Sequence, residues 1–298
     1  MSETRKSWWS IVFLTAVLLV LAALRPLALP DEGRYGEIGR WMLVSGDWLT
    51  PRLNGIPFFH KPPYLYWLEA ASMGVLGVHP WSARLVVALH AALMLVASYW
   101  AVRRMATQTL ARRTVWMLGT SLSFLIGGQY VNHDMLVAAW ISVALWCFGL
   151  AFMQGDKPHA GLARAGFAAC ALGMLSKGLI GFALPGLVLL VWLLVTRQMR
   201  KLLYLPWGSG LLIFCAIALP WFVLAQMQFD QMLQYMFGKH HFARYTGATF
   251  NNAQPFWFYG VVLVLLFFPW LFFVVYKALV LVNRTQAAIE IVAPKYLA

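Results

Sequence analysis

Five stretches of this chain carry side chains able to do chemistry. Residues 29–35 read LPDEGRY, two carboxylates followed by an arginine and a tyrosine. In a helix opening at Pro30, Asp31 and Arg34 stand three apart and share a face. Asp31 can act there as a helix-opening acid, as a general base, or as both. Residues 58–66 read FFHKPPYLY. The Pro-Pro pair stiffens the backbone after Lys61 and aims Lys61 and His60 from a rigid loop. A lysine held this way suits a bound anion; it equally suits an interfacial place beside aromatics, facing lipid phosphates. Residues 129–135 read QYVNHDM. Asp134 opens the apolar run that follows, either as a plain N-cap or as a second functional acid. His133 beside one Asp is weak ground for a metal site. In 175–181, LSKGLIG, Lys177 lies between two apolar runs. A charge there must snorkel to the surface, find a partner or hold an anion. Residues 237–245 read FGKHHFARY. His240 and Arg244 are four apart on one helix face, and with Lys239 and His241 they form a cationic cluster. Such a cluster fits a phosphate, with Arg able to bind it bidentately, or the headgroups of anionic lipids.

Together these residues are a few carboxylates and several separated cations. That set suits a reaction on a phosphate-bearing lipid, with an acid as general base and cations holding a phosphate leaving group. The histidines and carboxylates leave a divalent metal open without requiring one. His90 falls inside an apolar run and reads as a bonded core histidine. Cys147, Cys170 and Cys215 also fall in apolar runs and read as small buried hydrophobes.

Something must position these groups, and composition says what. Of 298 residues, 61% are hydrophobic and 11% charged, against roughly 45–50% and 25% in a soluble domain. One soluble core of this size cannot hide so much apolar surface. Disorder, a coiled coil, a collagen-like fibre and a disulfide scaffold are excluded. The apolar runs do not alternate, so a membrane β-barrel is excluded as well. The expected fold is all-α: a polytopic transmembrane helical bundle of about eight spanning helices. The spans are expected at 8–29, 82–102, 114–130, 135–153, 163–176, 179–196, 205–226 and 255–276. The first follows Arg5 and Lys6, is too long for a signal peptide, and reads as an uncleaved helix. Residues 35–46 and 64–76 read as interfacial helices within the first outer loop. Four Pro-Trp pairs read as helix-end markers at headgroup level.

The net charge of +13 then belongs to membrane topology, since no basic helix or aromatic-basic stripe fits nucleic acid. Lys and Arg concentrate in one set of loops, which is assigned to the cytoplasm together with the N-terminus. The opposite set (30–81, 129–134, Lys177 and 227–254) holds seven of the ten acids and five of the seven histidines. The chemistry is thus expected on one face, the periplasmic side of a bacterial inner membrane.

Residues 29–68, LPDEGRYGEIGRWMLVSGDWLTPRLNGIPFFHKPPYLYWL, resemble the first outer loop of the bacterial aminoarabinose transferase and dolichyl-phosphate-mannose protein mannosyltransferase superfamily, C-type membrane glycosyltransferases. The resemblance continues through LSKGLIG, the ALPW at 218–221 and GKHHFARY, and covers nearly the whole chain. It implies transfer of a sugar from a polyprenyl-phosphate carrier to a lipid, glycan or protein acceptor at the outer face of the bilayer. It also implies roles: Asp31 as the essential first-loop acid with Arg34 and Tyr35 beside it, and Asp134 as the second important acid. Lys61 and Arg244 would bind the carrier phosphate, with Lys177 as the lysine of a T-K-G-like turn. From their place beside these cations, rather than from the resemblance, His60 and His240 are read as supporting residues. His60 stands where the family usually has an acid, and Asn132 and His133 stand where an Arg is common. Family members are commonly about twice as long, so the family's usual C-terminal half is expected to be absent from this single domain of 1–298. A non-catalytic subunit that needs a partner, a truncated remnant, and a transporter or flippase for a lipid-linked sugar are the alternatives.

Overall fold

The computed structural model describes residues 3–153, 155–242 and 254–280. It is a helical bundle with one two-residue hairpin. In chain order the helices are α1 (Glu3–Ala23), α2 (Asp31–Ser45), α3 (Tyr64–Leu76), α4 (Pro80–Met105), α5 (Gln108–Gly119), α6 (Leu122–Gly127) and α7 (His133–Met153). Then come α8 (Ala160–Lys177), α9 (Ile180–Val195), α10 (Trp207–Gln228), α11 (Phe258–Leu266) and α12 (Trp270–Val280). A 3₁₀ segment (Met199–Tyr204) joins α9 to α10, and a π-helical segment (Gln234–Phe242) follows α10.

Local chemistry explains most boundaries. Gly46 takes φ 71° and ends α2 in a left-handed cap that plain L-residues resist. Strands β1 (Arg52–Leu53) and β2 (Ile56–Pro57) turn at Asn54 and Gly55, both at positive φ. The Pro62-Pro63 pair ends the extended segment, and α3 opens at Tyr64. His79 and Ser82 form a reciprocal capping box at the start of α4, with Pro80 at the first helical position. Thr107 caps α5 by accepting the Leu110 N–H.

Among the described residues, four helices are long and apolar enough to cross a membrane: α1, α4, α7 and α10. The pair α11 and α12, bent by 96°, passes the same test only when taken together, as a broken span or a re-entrant loop. The eighth expected span is therefore broken rather than straight. The third, 114–130, is also divided, into α5 and α6, with Thr120 and Ser121 at the break. Expected spans five and six appear as the shorter helices α8 and α9. Many apolar side chains of α9 and α10 point outward, for example Val195 at 78% exposure and Leu212 at 70%. Such a surface is at home in a bilayer and would aggregate in water. Pro80, Pro206 and Pro269 do mark helix ends, but Pro220 lies inside α10. Cys147 and Cys170 are buried, whereas Cys215 is only partly so.

Among the described residues, three apolar clusters make the core. One packs α1 to α5 around Leu18, Leu65, Tyr66 and Leu95. A second joins α7, α8 and α9 around Phe152, Phe167 and Leu193. The third seats Phe59 and the end of α8 against α10 through Trp221 and Phe222. At the α8–α9 turn no side chain intervenes: a Cβ at Gly181 would fall on the Gly173 carbonyl carbon. This close approach fixes the hairpin that carries Lys177.

Candidate active site

The polar face is organised around a buried carboxylate next to Asp31. Glu32 is fully buried and takes both Nε and Nη2 of Arg84, at 2.9 and 2.8 Å. Arg25 bonds the same carboxylate at 2.5 Å, and the N–H groups of Ala28 and Val131 donate to it at 2.8 and 3.0 Å. Arg84, also fully buried, spends its remaining N–H groups on the carbonyls of Ala22, Arg25 and Pro26. The pair thus ties the end of α1, the start of α2, α4 and the α6–α7 connection into one knot. Burial alone would push the Glu32 carboxyl up; the bonds from Arg84, Arg25 and the two backbone N–H groups outweigh it and hold it at about 2.

That knot frees Asp31, the adjacent residue, for other work. Asp31 is the first residue of α2 and its side chain is 44% exposed, with Arg34 3.8 Å away as the i,i+3 pair. Its carboxylate also acts on Tyr35, whose hydroxyl is raised first by burial and then by Asp31. The Tyr35 ring meets the His133 ring edge to face at 4.9 Å. His133 is buried between Ser176 and Tyr66: its Nδ1 lies 2.7 Å from the Ser176 carbonyl and its Nε2 3.2 Å from the Tyr66 hydroxyl. A carbonyl only accepts, so Nδ1 carries the proton and donates it. Lys61, Lys177 and Asp134 are all within electrostatic reach of this ring.

Asp134 and Lys177 form a direct ion pair across the α7 and α8 ends. Asp134 is not a plain N-cap, because Asn132 takes that part: its Oδ1 accepts the Asp134 N–H at 2.9 Å. Lys177, half-buried, has found a partner rather than merely snorkelling. His60 stacks on Phe58 with ring centres 4.1 Å apart, and its Nε2 lies 2.8 Å from the Tyr235 hydroxyl. It therefore links the first outer loop to the segment after α10. His90 is indeed a bonded core histidine, 2.8 Å from the Val86 carbonyl. Arg244 lies outside the described residues, as does the side chain of His240. Among the described residues, no three His, Cys, Asp or Glu side chains gather as metal ligands.

A second buried acid sits behind this site. Glu69 on α3 is fully buried against Gly39, and neither carboxyl oxygen has a hydrogen-bond partner among the described residues. Burial holds its carboxyl protonated well above the usual carboxylate range. A folded-state value above the unfolded one means that Glu69 costs stability as pH rises past about 4.5, where the unfolded chain ionises first. Glu69→Gln is therefore expected to raise the melting temperature at pH 7–8, by about 2–4 °C for each kcal/mol recovered. The gain should vanish at pH 4.5. A variant no more stable than the wild type at pH 8 would mean that Glu69 is not held neutral.

Comparison with known proteins agrees with this architecture. A family model described as dolichyl-phosphate-mannose-protein mannosyltransferase matches residues 23–236. The chain belongs to that family. Similar members include an undecaprenyl phosphate-alpha-4-amino-4-deoxy-L-arabinose arabinosyl transferase of Pseudomonas savastanoi pv. phaseolicola, 30% identical over 85% of this chain and 47% of that protein. One from Pseudomonas fluorescens is 32% identical over 87% of this chain and 47% of its own length. The crystal structures of ArnT from Cupriavidus metallidurans, apo and bound to undecaprenyl phosphate, match with a TM-score of 0.80 each. Identity is 30% and 31%, over 90% of this chain and 49% and 50% of theirs. The chain thus spans about half the length of the curated relatives it matches.

Within this mannosyltransferase-family scaffold, several site residues escape a reading of the sequence. Glu32 stands beside Asp31 and is easily taken as its duplicate. The available signal is Arg84, an arginine inside an apolar span, which demands a buried acid. Tyr66 and Tyr235 carry no comparable signal, because tyrosine is common at membrane interfaces.

Proposed function

We propose that the chain is a membrane glycosyltransferase domain that moves a sugar from a polyprenyl-phosphate carrier to an envelope lipid, glycan or protein acceptor. The observation that carries this reading is the gathering of Lys61, Asp134 and Lys177 about the His133 ring, with Asp31 beside the Tyr35 that packs on that ring: acids and cations on one face of a helical bundle. The Lys/Arg bias of the loops supports the N-terminus in the cytoplasm and the active face in the periplasm, in a bacterial inner membrane. The names of the relatives support undecaprenyl phosphate as the carrier and an amino-pentose as the sugar.

In the proposed reaction an acceptor oxygen attacks the anomeric carbon with inversion. The new C–O bond forms as the bond to the carrier phosphate breaks, and the acceptor proton passes to Asp31. Lys61 and Lys177 receive the negative charge that develops on the leaving phosphate, with Arg244 proposed as a third ligand. Asp134 holds Lys177 in place before the phosphate arrives. His60 braces the first outer loop against the segment after α10 through Tyr235, His240 is proposed in a supporting part, and Arg34 and Tyr35 set the position of Asp31.

The test is mass spectrometry of lipid A, surface glycans and polyprenyl-phosphate sugars from a deletion strain with and without the restored gene. Restoration is expected to return a sugar-bearing product and to draw down the accumulated carrier-linked sugar. Movement of the lipid-linked sugar across the membrane with no transferred product would turn the reading to a transporter. No glycan change unless a second membrane protein is supplied would turn it to a subunit.

Lys177→Met should weaken donor use rather than remove the base. About a tenfold to hundredfold loss in kcat/KM is expected, shared between a higher KM for the carrier-linked sugar, whose phosphate is already charged, and a lower kcat. An unchanged KM with a collapsed kcat would instead put Lys177 at the transition state alone.

A further inference from the structure

At the membrane edge opposite the site, a cleft of about 900 Å³ opens between α1, α5 and α12. Lys6, Arg112, Arg113 and Lys277 line it together with Trp9 and Trp270. No Asp or Glu is among the described residues that line it. Three of its groups are held by contacts of their own. The Trp116 indole N–H bonds the Ser10 hydroxyl at 3.0 Å, the Trp270 indole N–H bonds the Thr120 hydroxyl at 2.9 Å, and the Lys277 ammonium stands 5.5 Å over the Phe273 ring. Met117 and Trp270 also belong to a second cavity of about 990 Å³, lined mainly by apolar side chains of α4, α5, α7, α9 and α12. A basic mouth at headgroup level thus meets an apolar space at acyl-chain depth.

We propose that this cleft binds an anionic glycerophospholipid of the leaflet opposite the active face. The phosphate would sit among Lys6, Arg112, Arg113 and Lys277, the glycerol region against the indoles, and an acyl chain in the apolar cavity. Charge complementarity argues for the headgroup: four cations of three different helices converge, and basic pockets between membrane helices select acidic lipids. Aromatic rings at the mouth suit the boundary between headgroup and chain. The depth of the apolar cavity argues against a soluble phosphate compound, which would leave that space unused. Because α1, α5 and α12 are apart in sequence, a lipid seated between them would also bind the first and last described helices to one another.

Native mass spectrometry of the full chain tests this, in phosphatidylcholine nanodiscs doped with phosphatidylglycerol. The wild type is expected to retain phosphatidylglycerol through detergent exchange in preference to phosphatidylcholine. The double variant Arg112→Gln, Arg113→Gln is expected to lose that retention by about tenfold to thirtyfold, each cation counting on the scale of headgroup attraction. The control Arg197→Gln, Arg200→Gln removes the same charge after α9, outside the cleft, and is expected to leave retention unchanged. Equal losses in both variants would reduce the effect to general surface charge and overturn the proposal. Equal retention of phosphatidylcholine would do the same. Displacement by equimolar undecaprenyl phosphate would assign the cleft to the carrier instead. A dimer in lipid-free detergent that the Arg112, Arg113 variant breaks would make the face a protein interface.

Discussion

Asp31→Asn is expected to lower sugar transfer by about a hundredfold to ten-thousandfold while the protein still inserts and keeps its melting temperature. The size follows from the loss of a general base, since Asn keeps the shape of the side chain and cannot take a proton. The unchanged stability follows from the surroundings: Asp31 is 44% exposed and pairs with Arg34 only at 3.8 Å. An exposed pair of that geometry is worth at most about 1 kcal/mol. Transfer is followed with purified protein in nanodiscs, and stability by thermal unfolding in the same preparation. Asp31→Glu should recover part of the rate, because the carboxylate returns in a shifted position. Full activity in Asp31→Asn would remove Asp31 from the mechanism.

One residue later the outcome reverses. Glu32→Gln should destabilise the fold by about 3–5 kcal/mol, because it leaves Arg84 charged, buried and short of its counter-ion. Arg84 has no exposed surface to which it can retreat. Loss of transfer in this variant should therefore follow loss of folded protein, measured as monodisperse protein after detergent extraction. The wild-type pH dependence has a fixed sign. Glu32 is depressed to about 2 in the folded chain, so its contribution is complete above about 4.5 and drains away as pH falls from there toward 2. Glu32→Gln should flatten that acid limb. A variant as stable as the wild type, with an unaltered acid limb, would mean that the knot is dispensable.

Two neighbouring carboxylates with opposite fates show where a linear reading stops. The apolar runs, the α3 boundaries at Tyr64 and Leu76, and the i,i+3 relation of Asp31 to Arg34 are local facts, and they are legible in the sequence. The pairing of Glu32 with Arg84 spans 52 positions, and that of Asp134 with Lys177 spans 43. Nothing in either neighbourhood names its partner. The break at Thr120 and Ser121 interrupts a run that is apolar on both sides, and the 96° bend between α11 and α12 falls at Pro269, a helix-end signal that the sequence shows without giving the angle. Asn132 displaces Asp134 as the cap because it lies one residue before the helix. N-cap preference alone does not rank two adjacent candidates.

The bare contact of Gly173 with Gly181 has a mechanical consequence. Two backbones pressed together with no side chain between them have no rotamers to exchange and no gap to close. The hairpin bearing Lys177 is therefore an anvil. In the proposed reaction, the movement that admits a long-chain donor and releases its spent carrier then falls to the loop between α2 and α3 that carries Lys61. Spin labels should see distances within the α8–α9 hairpin stay constant on addition of carrier-linked sugar while those from the hairpin to Lys61 change.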